Sequence, residues 1–146
     1  MKKLVILRGC SGSGKSTYAK QLGGELLFGA VKICSADDFF LGPDGKYNWQ
    51  ASLLGQAHNW CQNLARFAMD PARQGGKPYE LVIIDNTNIR KRDYRVYEKL
   101  AEEFGYEVEV VVVGKFDKKS VLEYAKRNRH SVPESAIQRM ADRFEE

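Results

Sequence analysis

The chain has 146 residues and a formal net charge of +4, and 43% of its residues are hydrophobic and 29% charged. A length of this order predicts one domain, and the composition is typical of soluble globular proteins, which excludes the intrinsically disordered class. No run approaches the roughly 18 apolar residues that cross a bilayer, which excludes an integral membrane protein.

The predicted elements alternate along the chain. Short apolar runs predict strands at 4–7, 31–34, 81–84 and 108–113. Helical spacing and stop signals predict helices at 16–22, 51–69, 90–104, 120–128 and 133–144. This alternation predicts a single α/β domain, with a short parallel sheet covered by helices on both faces in three layers.

A glycine-rich segment between the first strand and the first helix matches the pattern GxxxxGK[ST]. The phosphate loop, as we call it, consists of Gly9, Cys10, Ser11, Gly12, Ser13, Gly14, Lys15 and Ser16, with Thr17 following. Glycines let successive backbone N–H groups point at phosphate oxygens, and the helix that follows adds its positive end. Lys15 can reach the β- and γ-phosphates, and the Ser16 hydroxyl can ligate Mg²⁺. A plain glycine-rich turn is the alternative, but the strand-to-helix context favours phosphate binding.

Acidic residues follow two later strands at the same predicted edge of the sheet. Asp85 ends the run at 81–84 and could hold Mg²⁺, or it could cap a helix or turn. Asp37 and Asp38 follow the second strand, where a carboxylate could take the proton of an incoming hydroxyl as a general base. A solvated turn is the alternative for this pair. Asn88 could position a nucleotide or cap the next helix.

Basic residues cluster at two places. Arg127 and Arg129 lie between two predicted helices, where they could fold over a bound nucleotide and stabilise the transferring phosphoryl group, or simply end a helix. Arg90 opens the cluster Arg90-Lys91-Arg92, with Arg95 beyond it. Cations at a helix start oppose the helix dipole, which hints at an anionic partner such as a phosphate backbone, with solvated surface as the alternative.

Aromatic residues follow the Asp37-Asp38 pair, namely Phe39, Phe40, Tyr47 and Trp49. Such rings could stack on a nucleobase or fill the core.

Cys10, Cys34 and Cys61 are odd in number and form no CxxC pair, which argues against a disulfide framework and a zinc site. The apolar run at 4–7 is too short for a signal peptide. We therefore expect a protein of the reducing cytoplasm.

Four segments together resemble polynucleotide kinases and small related P-loop proteins. They are Gly9 to Thr17, Asp37-Asp38, the "DNTN" segment Asp85 to Asn88, and a lid segment near 126–133 that leads into the helix reaching Arg139-Met140. The resemblance covers nearly the whole chain in the right order, and it implies a single P-loop kinase domain over 1–146 with a P-loop NTPase, nucleoside-kinase-like fold.

The resemblance also implies an activity. The family transfers the γ-phosphoryl group of ATP, with Mg²⁺, to a hydroxyl, commonly the 5′-hydroxyl of DNA or RNA. It implies Lys15 and Ser16 for phosphate and Mg²⁺, Asp37 as general base, and Arg127 or Arg129 as the lid arginine. The expected partners are therefore a nucleotide and a nucleic-acid acceptor.

Phe40 departs from the family pattern. Phage-type polynucleotide kinases carry an arginine at this position, where it grips the 3′-phosphate of the acceptor. An aromatic residue here leaves other acceptors open, namely a hydroxyl on a modified base in DNA or a free nucleoside or nucleotide. An adaptor that binds ATP without transferring its phosphoryl group is a further alternative.

Overall fold

The computed structural model describes residues 2–24, 30–128, 130 and 132–146. The strands are β1 (Lys3–Arg8), β2 (Val31–Cys34), β3 (Leu81–Asp85) and β4 (Glu107–Val112). The α-helices are α1 (Lys15–Gly24), α2 (Leu54–Met69), α3 (Lys91–Phe104), α4 (Lys118–Arg127) and α5 (Glu134–Arg143). Two short 3₁₀ turns lie at Ala36–Phe40, called the Asp37 turn below, and at Ala51–Leu53.

In the described part of the chain, the strands form one parallel sheet in the order β2-β3-β1-β4. The carboxyl ends of parallel strands meet at one edge, so the loops after β1, β2 and β3 are neighbours. The register pairs Leu7 of β1 with Asp85 of β3, which brings the start of the phosphate loop beside this acid. The predicted α/β fold with a parallel sheet is confirmed.

Alternate residues of the central strands face opposite layers. Leu4, Ile6, Val82 and Ile84 pack under α2 and α3, in the larger core cluster. Val5, Leu7, Leu81 and Ile83 pack against α1 with Ala19. Because β1 and β3 are buried on both faces, their sequences read as continuous apolar runs. Each fully buried aliphatic side chain contributes about 1.5–3 kcal/mol to this core.

A third cluster lies between the phosphate loop and the last two helices. Cys10, Val121, Tyr124 and Ile137 are buried there. The phosphate loop therefore packs on α4 and α5 as well as on the sheet.

β4 forms one edge of the sheet, and its side chains are much less covered than those of β1. Val108, Val110 and Val112 are 37%, 40% and 48% exposed. Within the described ranges, no helix combines the length and apolar character needed to cross a membrane.

Most element boundaries differ from the sequence-based ones by one or two residues. The larger difference is at Ala51–Leu53, which forms a 3₁₀ turn rather than the first turn of the long helix, so that α2 begins at Leu54. Apolar spacing continues through both elements, and spacing alone does not distinguish them.

Candidate active site

The phosphate loop curls between β1 and α1 and is fixed at both ends. The Gly9 N–H donates to the carbonyl of Thr87 at 3.0 Å. Gly12 has φ 82°, and a Cβ there would lie 2.6 Å from the carbonyl oxygen of Tyr124 in α4. Gly14 has φ 102°, but a Cβ there would meet no atom within 4 Å. Close packing therefore requires glycine at position 12, while backbone conformation alone favours it at position 14.

Lys15 is buried at the start of α1, with its side chain turned back over the loop. Its ammonium donates to the carbonyl of Cys10 at 2.8 Å. Burial lowers the pKa of Lys15, and the negative charges of Asp85 and Asp37 oppose that shift. A buried ammonium held over backbone amides is suited to bind phosphate oxygens.

Ser16 and Asp85 are joined directly. The Ser16 hydroxyl donates to Oδ2 of Asp85 at 2.8 Å. Burial raises the pKa of Asp85, and the Ser16 hydrogen bond and the Lys15 charge counteract this. The sequence placed both residues in a Mg²⁺ site, and the structure puts a hydroxyl oxygen and a carboxylate oxygen within one hydrogen bond of each other.

These donors fit Mg²⁺, which takes hard oxygen ligands and is commonly held by one or two carboxylates together with substrate phosphates. In the described part of the chain, no group of three or more His, Cys, Asp or Glu side chains could hold a metal by itself. The buried hydroxyl of Ser13 has no hydrogen-bond partner within the same residues. An unsatisfied donor inside a phosphate loop fits a phosphate oxygen as its acceptor.

The remaining loop residues have supporting positions. Cys10 is fully buried in the cluster beneath α4, and burial raises the pKa of its thiol. The Ser11 hydroxyl lies 3.6 Å from the sulfur of Met140 in α5. Thr17 is exposed on the first turn of α1.

The Asp37 turn is fixed to the end of β3 by a buried amide. Oδ1 of Asn86 accepts the N–H of Ala36 at 2.9 Å, and its Nδ2 lies 3.6 Å from the sulfur of Cys61 in α2. The backbone that carries the predicted base is therefore anchored beside Asp85, the neighbour of Asn86 in the chain.

The Asp37 side chain is 56% exposed and lies next to those of Tyr47 and His130. Oδ1 accepts the Tyr47 hydroxyl at 3.3 Å, and Oδ2 lies 3.9 Å from Nε2 of His130. The Tyr47 and His130 rings are stacked, with centroids 4.0 Å apart. Burial, and then the charge of Asp37, raise the pKa of Tyr47. The sequence indicated base stacking or core packing for Tyr47 and no site role for His130, and their contact with Asp37 could not be predicted because only the fold brings 47 and 130 together.

Asp38 lies beside Asp37, and both residues are exposed. Burial raises the pKa of Asp38, and the charges of Asp37 and Asp85 add to the effect. Asp85 is buried, so of these three acids Asp37 and Asp38 are the ones open to a hydroxyl group from solvent.

Arg127, the last residue of α4, lies on the phosphate loop. Its Nε donates to the carbonyl of Gly12 at 2.8 Å, and its guanidinium lies 5.3 Å from the centre of the Tyr124 ring. The structure thus brings this predicted lid arginine to the phosphate site. Arg129, the other candidate, lies outside the described residues.

Three residues that the sequence suggested as substrate contacts make contacts within the protein. Phe40 is 5% exposed and packs edge-to-face against Phe39, which favours the core interpretation over base stacking. Asn88 is buried and donates to the carbonyl of Leu7 at 2.7 Å, so its amide ties β1 to the loop after β3. Arg90, not Asn88, is the N-cap of α3, and its N–H donates to Asp93.

Arg8 is a further residue near the site that no sequence motif marked. It is 3% exposed at the end of β1, between the rings of Tyr94 and Phe144, 4.9 and 4.4 Å from their centres. Its guanidinium donates to the carbonyls of Asn88, Ile89 and Glu145, at 2.8, 2.9 and 2.5 Å. The only sequence signal was an arginine at the end of an apolar strand.

A comparison with protein families agrees with this geometry. The model of a family described as an AAA domain, AAA_33, matches residues 4–146. The chain belongs to this family. Its fold is that of the P-loop kinases, and such a fold indicates a phosphotransferase.

Two relatives share the sequence over much of the chain. Human NEDD4-binding protein 2 is 35% identical over 142 residues, which are 97% of this chain and 8% of that protein. An uncharacterized protein, PM0531, from Pasteurella multocida (strain Pm70) is 27% identical over 113 residues, which are 75% of this chain and 63% of that protein. The chain thus spans less than two thirds of either relative.

Solved structures share the fold at low identity. Kti12 from Chaetomium thermophilum, in complex with ADP-AlF3, has a TM-score of 0.68 and 19% identity, covering 98% of this chain and 80% of that one. A chain of the Pnkp1/Rnl/Hen1 RNA repair complex has a TM-score of 0.66 and 18% identity, covering 97% and 43%. A gluconokinase from Sinorhizobium meliloti 1021 has a TM-score of 0.58 and 14% identity, covering 99% and 75%. Proteins of different function therefore share this fold.

Proposed function

We propose that this protein is an ATP- and Mg²⁺-dependent kinase that transfers the γ-phosphoryl group to a hydroxyl of a nucleic acid. The observation that carries the proposal is the convergence of Lys15, the Ser16–Asp85 pair and Asp37 at one edge of the sheet. The charge of Asp37 acts on the pKa values of both Lys15 and Asp85, as expected for groups within one site.

The ATP end of the site would be held by the phosphate loop. The Lys15 ammonium, now on the Cys10 carbonyl, would move to phosphate oxygens, and the N–H groups of the first turn of α1 would donate to them as well. Ser16 and Asp85 would hold Mg²⁺, which supplies neutralisation of charge on the β- and γ-phosphates when bound.

The acceptor end of the site would be served by Asp37. Its carboxylate takes the proton of the acceptor hydroxyl, and the hydroxyl oxygen forms a bond to the γ-phosphorus. The bond from that phosphorus to the β,γ-bridging oxygen breaks at the same time, and ADP leaves with the electron pair. Arg127, beside Gly12, would stabilise charge on the moving phosphoryl group.

The resemblance to polynucleotide kinases supports a nucleic acid as acceptor, and a chain of similar fold occurs in an RNA repair complex. The aromatic residue at position 40 supports acceptors that need no grip on a 3′-phosphate. The three free, buried cysteines support a reducing compartment, and we propose the cytoplasm.

The test is phosphorylation with γ-labelled ATP and a panel of acceptors: 5′-hydroxyl DNA, 5′-hydroxyl RNA, DNA with hydroxymethyl bases, and free nucleosides. We expect label on a nucleic acid. Label only on nucleosides would identify a small-molecule kinase, and ATP hydrolysis with no labelled acceptor would identify a nucleotide-binding adaptor.

The role of Asp37 is tested in the same assay. We expect Asp37→Asn to lower transfer by about 10²–10⁴-fold, because it removes the base while keeping its shape. ATP binding, measured by calorimetry, should persist. Asp142→Asn, an exposed acid on α5, is the matched control and should transfer at the normal rate. Full turnover by Asp37→Asn would contradict the assignment of the base.

A further inference from the structure

A strongly positive concave surface lies between the start of α3 and the end of α5. Its volume is about 610 Å³. We call it the basic groove, and it is lined by Arg90, Lys91, Arg92, Arg95, Arg143 and Glu145. Five of these six side chains are cationic, and the sixth is a single carboxylate.

Two acids lie near the cations of the basic groove, Asp93 in the first turn of α3 and Glu145 in the lining. The ion pairs found within the described ranges involve Lys3, Arg66 and His130, and none involves a groove cation. The Glu145 carboxylate accepts the backbone N–H of Lys91 at 3.0 Å, so the acid of the groove is engaged by an amide. Unpaired cations that crowd a helix start repel one another and oppose its dipole, so they favour an anion.

The groove lies at the same edge of the sheet as the phosphate loop. Arg90 follows Asp85, the end of β3, by five residues. Arg8, which immediately precedes the loop, donates to the carbonyls of Ile89 and Glu145, on the two sides of the groove. One buried guanidinium thus fixes both walls of the groove to the strand that leads into the phosphate loop.

The position of the groove favours a polymer over a small ligand. Asp37 follows β2, at one end of the strand order, whereas Arg8 belongs to β1, two strands away. The phosphate loop begins at that same strand. An acceptor that reaches both Asp37 and the groove must extend across the carboxyl edge of the sheet.

We propose that the basic groove binds the phosphate backbone of a nucleic acid, away from the hydroxyl that reacts. That this nucleic acid is also the acceptor rests on the proposed function. The lining contains no apolar side chain, whereas sites for protein partners usually have aromatic or aliphatic anchors. A uniform polyanion draws its affinity from charge contacts alone, and guanidinium groups bind phosphate in a bidentate manner.

The binding test compares charge-reversal variants of the full chain. A fluorescently labelled single-stranded oligonucleotide is titrated with wild type, with R92E/R95E, and with K118E/K119E. The last pair is exposed at the start of α4 and has the same change in net charge. We expect R92E/R95E to weaken binding at least tenfold and to reduce the slope of log K against log salt by about 1.4, at roughly 0.7 per lost contact.

The expected result for K118E/K119E is a much smaller effect on both quantities. Equal losses of oligonucleotide affinity in the two double variants would overturn the proposal for the groove, because they would show that affinity responds to net charge alone. Binding of a polyglutamate peptide as tight as that of the oligonucleotide, with the same sensitivity to R92E/R95E, would also overturn the nucleic-acid assignment.

Kinetics separate this proposal from the proposed function. If both hold, R92E/R95E lowers the ratio of kcat/KM for an oligonucleotide to that for a nucleoside, relative to K118E/K119E. An unchanged ratio with an active kinase overturns the groove as an acceptor site. Oligonucleotide binding that needs Arg92 and Arg95, in a protein that labels no acceptor, overturns the proposed function and leaves the groove standing.

Discussion

At the scale of single residues, the candidate site holds two side chains of opposite charge, Lys15 and Asp85, and burial disfavours the charged form of each. Burial lowers the pKa of Lys15 and raises the pKa of Asp85, while each charge stabilises the other. Water is largely excluded from both side chains, since each is 8% exposed. A phosphate and a divalent cation would relieve both penalties, because each brings the charge that its protein partner lacks.

Asp85 gives a prediction about stability and pH. In the folded protein the pKa of Asp85 lies above its ordinary value of 3.8, so the unfolded chain releases this proton at lower pH. Between the two pKa values unfolding releases a proton, and the free energy of unfolding falls as pH rises. Above the folded pKa the whole penalty is present.

We therefore expect Asp85→Asn to stabilise the nucleotide-free protein at neutral pH, with a melting temperature about 2–4 °C higher, the shift that ~1 kcal/mol gives a domain of this size. The side-chain oxygen of the asparagine can still accept a hydrogen bond from the Ser16 hydroxyl. The difference in unfolding free energy between variant and wild type should grow from pH 4 upward, measured by urea denaturation at several pH values. For the same variant, adding Mg²⁺ together with ATP should raise the melting temperature no more than ATP alone does. A variant less stable than wild type at neutral pH would contradict the burial argument.

At the scale of elements, the Asp37 turn depends on a contact that no local pattern predicts. The order of strands and helices and the position of the phosphate loop followed from apolar runs and glycine spacing. The convergence of Ser16 with Asp85 followed from the parallel sheet. The anchoring of the turn by Asn86 did not, because it joins residues 36 and 86 through a side chain. Nor did the contact of His130 with Asp37, because these two residues lie far apart in the chain.

Asn86 is predicted to be a positioning residue. Asn86→Ala removes the acceptor of the Ala36 N–H and frees the turn that carries Asp37. We expect kcat to fall by about 10²-fold, the cost of a displacement near 1 Å, with a much smaller change in KM for ATP. A purely structural role would lower the melting temperature without this split between kcat and KM.

Asn86→Asp is the matched control. It keeps an oxygen acceptor for the Ala36 N–H, so partial recovery of kcat is expected at neutral pH. If Asn86→Ala and Asn86→Asp had equal kcat values, the hydrogen bond to the turn would not be what positions Asp37.

At the scale of the whole molecule, Arg8 connects three distant parts of the chain. Its guanidinium joins the end of β1 to the loop after β3 and to residue Glu145. The apolar run at 4–7 predicted a strand of a parallel sheet, and the fold places this strand between β3 and β4. The role of its last residue could not be predicted, because the acceptors are backbone carbonyls 80 and more positions away in the chain.

We expect Arg8→Met to destabilise the protein by about 2–4 kcal/mol in urea denaturation. Methionine fills similar space between the two rings but removes the guanidinium. The carbonyls of Asn88 and Glu145 lose their donor, whereas that of Ile89 keeps the Glu145 N–H. Arg66→Met is the control, because Arg66 is half exposed and pairs with Glu103 at the surface. This variant should lose less unfolding free energy than Arg8→Met. Equal losses in the two variants would mean that the buried network contributes no more than a surface ion pair.

The three buried cysteines can report local opening of the structure. Cys10, Cys34 and Cys61 are all fully buried: Cys10 belongs to the phosphate loop, Cys34 ends β2, and Cys61 lies on α2. An alkylating reagent can reach such thiols only when the surrounding structure opens, so the rate of labelling at each one reports the frequency of a different motion. The rate of alkylation at Cys34 and Cys61 would measure how often α2 separates from the sheet. The rate of alkylation at Cys10 would measure how often α4 and α5 separate from the phosphate loop. A lid built from these two helices would need the same motion.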